Sequence, residues 1–270
     1  MKLHLKGNSG CNLTVEDGIV RKISTKKSYN FRLKNQFDKQ KNFECSIFRT
    51  PLVRNHGYYE NKFFFEMDYI PFKSFDQAFK FADKGYLDII CSKILSFIDN
   101  NIDGYKKFES SIIIKKFEST FKKIPNAHTD LSYLIDLFES MDKKIELPEG
   151  FCHGDLTLSN LLFNNDDIVV IDFLDTFLDS PIKDIVKIRQ DTQFHWSLRM
   201  LKLNYDRVKI IQCLNYIDNK LHNEFKKYDF YLNTYKIFQI LNFLRIIPYC
   251  NNDYDVQFLK KRIKLLCIQR

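Results

Sequence analysis

The chain has 270 residues, 44% hydrophobic and 28% charged, with a formal net charge of +8. That length suits one large or two-lobed domain with a substantial core, and 26 Phe with 14 Tyr exclude a disordered chain. Eight glycines and six prolines exclude a collagen-like or linker-like composition.

The charge is unevenly placed. Residues 1–173 hold 25 Lys/Arg against 24 Asp/Glu, whereas residues 174–270 hold 17 against 10. A basic surface attracts anionic partners, but these lysines are dispersed among Asn, Tyr and Leu, so no nucleic-acid partner is expected. The seven cysteines, at 11, 45, 91, 152, 213, 250 and 267, include no CxxC pair. Neither a disulfide framework nor a zinc site is expected, and a reducing compartment is. The opening MKLHLKGNSG lacks the apolar core of a signal peptide, and no apolar run reaches about 18 residues. A cytoplasmic protein without a transmembrane segment is the expectation.

Lys2–Lys6 alternates as a strand does, Gly7-Asn8-Ser9-Gly10 makes a turn, and Cys11–Val15 resumes the extended pattern. Asp17-Gly18 is a hairpin signal leading into a third strand over Ile19–Ser24. Ser28 is placed to cap a helix over 29–43, with Leu33 and Phe37 one turn apart. Lys62–Ile70 reads as a further strand closed by Pro71. Helical spacing then covers 75–101, 109–123 and 130–142, the last begun by Thr129-Asp130. Strand character returns over Asn160–Phe163 and Ile168–Phe173, around the polar turn Asn164–Asp167. About four helical segments follow Pro181.

The chemistry is concentrated in Phe151–Phe173, FCHGDLTLSNLLFNNDDIVVIDF. Asp172 lies inside an apolar strand, where a carboxylate is costly without a cation or donors. A hairpin brings Asn160 beside Asp172, and two hard oxygens there suit Mg²⁺, which takes its remaining ligands from waters and phosphates. Asp155, five residues before Asn160, is then free to orient a substrate hydroxyl.

H-G-D-L-T-L-S-N followed by I-D-F resembles the catalytic loop and metal-binding motif of aminoglycoside phosphotransferases and choline kinases. Those small-molecule kinases share the protein-kinase fold, and the pattern is related to the kinase H-R-D-x-x-x-x-N and D-F-G motifs. Gly154 replaces the arginine, and Leu174 stands where protein kinases have the glycine of D-F-G. The resemblance implies an α+β, two-lobed protein-kinase-like fold. Residues 1–70 would form a small antiparallel β lobe with one helix that binds nucleotide. Residues 71–270 would form a larger, mostly α-helical lobe carrying the catalytic hairpin and the acceptor. It implies Asp155 as catalytic base, His153 as support for the loop, and Asn160 and Asp172 as ligands of Mg²⁺ against the phosphates of ATP or GTP.

The N-terminal segment offers matching parts. Gly7, Asn8, Ser9 and Gly10 would cover the phosphates with backbone N–H groups. Val20-Arg21-Lys22 resembles the segment whose lysine contacts the α- and β-phosphates, and Glu66-Met67-Asp68 resembles the adenine-binding hinge. As an acidic partner for Lys22 the helix over 29–43 offers only Asp38, with Glu44 at its end, and Gln36 and Gln40 are the alternatives in the relevant turn. Beyond the hairpin, Asp175, Arg189, His195 and Trp196 are candidates for the acceptor site, and Asp184 for a structural anchor.

The expected activity is an ATP- and Mg²⁺-dependent phosphotransferase acting on a hydroxyl of a small molecule. The basic C-terminal part disfavours a polycationic acceptor and favours a sugar or another neutral or anionic metabolite. A lipopolysaccharide or glycolipid kinase is an alternative. A protein kinase is another, although PIKDIVKIRQD begins within nine residues of the metal motif and leaves little room for an activation loop. A nucleotide-binding pseudokinase or basic interaction module is the non-enzymatic alternative, against which Asp155, Asn160 and Asp172 all stand.

Overall fold

The computed structural model describes residues 3–5, 10–201 and 206–268. Its N-terminal part is a five-stranded antiparallel sheet of β1 (Leu3–Leu5), β2 (Cys11–Glu16), β3 (Ile19–Ser24), β4 (Val53–Tyr59) and β5 (Lys62–Asp68), in the order β1-β2-β3-β5-β4. Asp17 and Gly18, both at positive φ (50° and 77°), form the two-residue turn between β2 and β3 that Asp-Gly favours. β5 alternates as a half-buried strand should, with Phe63, Phe65 and Met67 inward. Helix α1 (Asn30–Lys41) lays Leu33 and Phe37 on that face, closing a small core with Cys11. Each such fully buried aromatic or aliphatic side chain contributes about 1.5–3 kcal/mol.

Two expectations need correction here. Ser28 does not cap α1, because a short 3₁₀ turn over Lys27–Tyr29 runs directly into the helix and no side chain caps it. β4 was not expected at all: VRNHGYY lacks alternation because it is a mostly exposed edge strand with only one face to satisfy.

The C-terminal part contains α2 (Phe75–Phe79), α3 (Lys84–Asn100), α4 (Ser111–Phe121), α5 (Ala127–Asp130), α6 (Tyr133–Glu139), α7 (Ile182–Thr192), α8 (Trp196–Met200), α9 (Arg207–Phe225), α10 (Asp229–Ile246) and α11 (Asp253–Ile268). The expected helix over 75–101 is broken after Phe79, where Asp83 caps α3 by accepting the N–H of Tyr86. Thr129 and Asp130 fall inside α5 instead of opening a helix. A two-stranded pair, β6 (Gly104–Glu109) with β7 (Lys144–Glu149), was also unforeseen.

The hairpin falls close to where the sequence puts it, as β8 (Leu161–Asn164) and β9 (Asp167–Val170). β9 ends at Val170, however, so Asp172 lies beyond the strand in an exposed position and not inside an apolar strand. Both edges of the hairpin are tied to the preceding chain. Lys73 and Phe163 exchange backbone hydrogen bonds at 3.0 and 2.8 Å, and Arg49 bonds Ile168 and Val170 at 3.1 and 2.8 Å. Beneath lies α7, every residue of which is buried. Its charged side chains therefore need partners inside the protein, and for Asp184, Lys187 and Asp191 those partners lie in the loop before β8.

Candidate active site

The loop between β7 and β8 is suspended from α7. Asp184 accepts the backbone N–H groups of His153 and Gly154 at 2.6 and 2.8 Å. Asp191, two turns further along, accepts those of Leu158 and Ser197 at 2.8 and 3.0 Å. Between them Lys187 places its ammonium 3.0 Å from Asp155 Oδ1. Residues 184, 187 and 191 share one helical stripe, so α7 presents an acid, a base and an acid to successive points of the loop. Burial pushes Asp184 up to about 7 and Asp191 up to about 6, against the opposing pull of their hydrogen bonds.

His153 is fully buried and makes two loop-closing bonds. Its Nδ1 accepts the Asp155 N–H at 3.2 Å, and its Nε2 lies 3.0 Å from the Ile171 carbonyl. Those partners assign the neutral Nε2–H tautomer. Burial lowers the imidazole to about 4, keeping it uncharged at neutral pH. Next to it Gly154 sits at φ +87°, and a Cβ there would lie 2.6 Å from both Leu174 O and Thr176 Cγ2. The glycine at the position of the kinase arginine thus answers a backbone requirement.

Asp155 is held from both sides. The Asn160 side-chain N–H₂ donates to its carbonyl at 2.8 Å and to Oδ2 at 3.0 Å, while Lys187 takes Oδ1. Burial would raise this carboxyl, but Lys187, His153 and the Asn160 amide outweigh it and hold it below the usual carboxylate range. It is ionised at neutral pH and able to accept a proton.

The hairpin sets the metal-ligand candidates side by side, since Ile171 N–H donates to the Asn160 carbonyl at 3.0 Å. Asp172 follows at φ 65°, its side chain 47% exposed and turned to Lys22, whose ammonium lies 2.5 Å from Oδ1. Lys22 itself is only 3% exposed. Burial opposes its charge, yet Asp172 and its other neighbours raise it overall. Its second partner is Gln36 Oε1 at 3.0 Å. Gln40 instead bonds Pro51 O and Met67. Asn160 Oδ1 and Asp172 are hard oxygen donors, and the described residues contain no group of three or more His, Cys, Asp or Glu fit for a metal. Two protein oxygens completed by phosphates and water match what Mg²⁺ accepts.

The remaining expectations divide. Gly7, Asn8 and Ser9 lie outside the described residues. Gly10 is described, and its carbonyl accepts the N–H and hydroxyl of Thr25, both at 2.9 Å. Glu66, Met67 and Asp68 are still within β5, in register with β3. Glu66 pairs with Arg21, and Asp68 with Arg54. The strand's ladder engages these residues, so the crossing towards the hairpin is made by 69–72. Asp175 accepts from Asn35 Nδ2 at 3.3 Å, near the loop. Arg189 is bidentate to Asp218 at 2.9 and 2.8 Å and bonds Tyr231. His195 bonds Asn215 at 3.0 Å, and Trp196 packs on Phe258. These three face α9, α10 and α11, and none bonds to Asp155. Sequence reasoning missed Lys187, because IKDIVKIRQDT reads as a charged surface helix and the 184/187/191 stripe has no partner visible in the sequence.

Residues 118–206 match the family model described as the phosphotransferase enzyme family, APH. That segment contains the whole catalytic loop, the hairpin and α7. Over those residues the chain is similar to this family of phosphotransferases. Solved structures carry the same protein-kinase-like fold. A thermostable mutant of aminoglycoside phosphotransferase APH(4)-Ia, in ternary complex with ADP and hygromycin B, aligns with TM-score 0.65 at 11% identity, covering 98% of this chain and 92% of that one. The streptomycin–ATP complex of APH(2")-IIa aligns with TM-score 0.54 at 14% identity, over 100% and 92%. A putative fructosamine-3-kinase from Haemophilus somnus 129PT aligns with TM-score 0.58 at 15% identity, over 98% and 90%. Comparison with curated protein sequences gives no match. No helix among the described residues is long and apolar enough to cross a membrane. The chain therefore combines the fold of these structures with a loop before β8 that hangs from α7.

Proposed function

We propose that this protein moves the γ-phosphate of ATP to a hydroxyl of a small sugar-like or otherwise neutral or anionic metabolite, with Asp155 as the base. The observation that carries the reading is one bonded chain of residues: Lys187–Asp155–Asn160, then Ile171–Asp172–Lys22. An ionised Asp155 orients the acceptor hydroxyl and takes its proton. Asn160 and Asp172 would hold Mg²⁺, which when bound neutralises phosphate charge. Lys22 reaches the phosphates from β3, and residues 69–72 border the adenine. Such catalysis needs positioning and charge more than covalent help. His153 positions Asp155 through its backbone and does not touch the reacting atoms.

The lobe division near residue 70 belongs to this proposal, with nucleotide gripped from the sheet side and acceptor from the helical side. The test is ATP consumption by the full chain against sugars, sugar acids, amino alcohols and aminoglycosides, with Mg²⁺ and with EDTA. Turnover that needs both Mg²⁺ and a neutral or anionic acceptor supports the reading. Preference for aminoglycosides overturns the acceptor class. Turnover undiminished in EDTA overturns the metal assignment.

A further inference from the structure

Several cations around the first turn of α7 and the last turn of α10 have no counter-ion among the described residues. Lys183, in the first turn of α7, is 2% exposed, and its ammonium stands 4.6 Å from the Phe177 ring centre and 5.7 Å from that of Phe238. Lys116 of α4 reaches the same Phe177 ring at 5.6 Å. Arg245, in the last turn of α10, keeps Nη1 buried without a hydrogen-bond partner. Among the described residues none of Lys116, Lys183 and Arg245 forms an ion pair. Arg245 feels the charges of Asp155 and of Arg32 on α1, and Lys183 feels those of Arg245, Lys187 and Lys116. The cluster is thus drawn from α4, α7 and α10, with Arg32 of α1 nearby, and Arg245 is its member within electrostatic reach of Asp155.

An aromatic ring offsets about 0.5–2 kcal/mol for a cation laid over it, well short of the several kcal/mol that burial costs. Every other charged side chain on the loop-facing side of α7 has found an opposite charge or a set of backbone donors. Burial drives Lys183 well below the usual lysine range, as expected where a counter-charge is missing. Asp155, the one carboxylate that Arg245 feels, is already committed to Lys187 and Asn160.

We infer that Lys183, Arg245 and Lys116 form an anion subsite beside Asp155, which binds a phosphate or carboxylate carried by the acceptor itself. The acceptor is then a hydroxylated molecule that enters already anionic, such as a sugar phosphate or sugar acid. Asp155 takes the hydroxyl while the subsite grips the charged end. The inference rests on the phosphotransfer reading only for its kinetic consequence, because anion binding is measurable without turnover.

The test uses the full chain saturated with ADP and Mg²⁺, so that the nucleotide pocket cannot report the anion. Glucose, glucose 6-phosphate and gluconate are compared by thermal shift and calorimetry, with wild type, Arg245→Gln and Lys183→Met. The anionic probes should stabilise the wild type and glucose should not, with phosphate and carboxylate arms separating the two groups. Each substitution should weaken that binding on the order of tenfold or more, as loss of a charged hydrogen bond does, while ADP affinity is retained. Lys183→Met should also raise the melting temperature in anion-free buffer, because it removes an uncompensated buried charge. A lysine serving only to pack on Phe177 would give the opposite shift. Equal binding of glucose and both anions, or unchanged anion binding in both variants, overturns the subsite. Anion binding that depends on Arg245 supports the subsite even if no acceptor is phosphorylated, an outcome that would overturn the enzymatic reading alone.

Discussion

The Lys22 ammonium donates to Gln36 Oε1 at 3.0 Å, so an amide stands where the kinase pattern has a carboxylate. Among the described residues Lys22 is left with Asp172 as its one carboxylate partner at hydrogen-bond distance. The lysine is therefore tied to the metal-ligand candidate more tightly than to its own lobe's helix. Gln36→Ala should leave a buried ammonium short of an acceptor, at a cost of about 1.5–3 kcal/mol. The expected result is a KM for ATP raised on the order of tenfold, with a lower melting temperature. Gln36→Glu restores an acceptor and should stay within a few-fold of wild type in steady-state kinetics with ATP varied. A Glu variant as impaired as the Ala variant would refute a purely supporting role for the amide.

Asp155→Asn keeps the shape of the side chain and the means to bond Asn160, but removes the basic oxygen. The turnover number should fall by at least about 100-fold, the scale of a lost general base, while ADP binding measured by calorimetry is preserved. Turnover within a few-fold of wild type would remove Asp155 from the chemistry.

Lys187 tests how that base is tuned. Burial favours protonation of Asp155, and Lys187 is the foremost influence in the opposite direction. Lys187→Met should therefore move the acid limb of the kcat profile to higher pH, since the carboxylate then protonates more readily. The diagnostic is the displaced limb, because a purely structural defect lowers the whole profile without displacing it.

The strands β2, β3 and β5, the helix α1 and the hairpin could be read from the sequence because each carries its own local signal. Asp17-Gly18, the alternation of Phe63, Phe65 and Met67, and the Leu33/Phe37 spacing are all fixed within a few residues. Asp155, Asn160 and Asp172 were legible because their spacing is set by one loop and one hairpin. Lys187 and Arg245 were not, because they come from elements 32 and 90 residues after Asp155 and only packing brings them near it. α7 is the instructive case. Its sequence IKDIVKIRQDT has the charge of a surface helix, yet it is buried all round. Its polar positions serve the catalytic loop, the Asp218 network and the uncompensated cation cluster. Arg189 shows the same ambiguity from the other side: a charged residue near the motif proved to be an interior brace for α9 and α10.

Gly154 ties the loop's backbone to its function. At φ +87° with Leu174 O 2.6 Å from the position of a Cβ, Gly154→Ala meets both torsional strain and a backbone clash. A destabilisation of about 1–3 kcal/mol follows from the strained conformation alone, and relief requires moving the N–H that Asp184 accepts. Chemical unfolding should show the loss in stability, and kcat should fall with it because Asp155 is the next residue. A variant with wild-type stability would mean that the loop has an alternative path.

His153 of the loop and the two α7 acids that hold the loop give opposite pH dependences, which makes their contributions separable. His153 is lowered to about 4 from the 6.5 of an unfolded chain. Its contribution is present above 6.5 and lost as the pH falls through 4, a range worth about 3 kcal/mol by linkage. Asp184 is raised to about 7 from 3.8, so its contribution is present below 3.8 and lost as the pH rises through 7. Asp191, raised to about 6, acts in the same sense. Between pH 4 and 6.5 the unfolded chain binds the extra proton at His153 and the native chain binds it at the two acids, so the slopes oppose each other. Two acids oppose one imidazole, so wild-type stability from denaturant unfolding should fall across that window with the slope of about one group. His153→Asn removes the term that rises with pH, so its stability should fall more steeply than that of the wild type as the pH is raised from 4 to 6.5. If that variant and the wild type keep the same slope, His153 is protonated in the native protein and the neutral Nε2–H assignment is wrong.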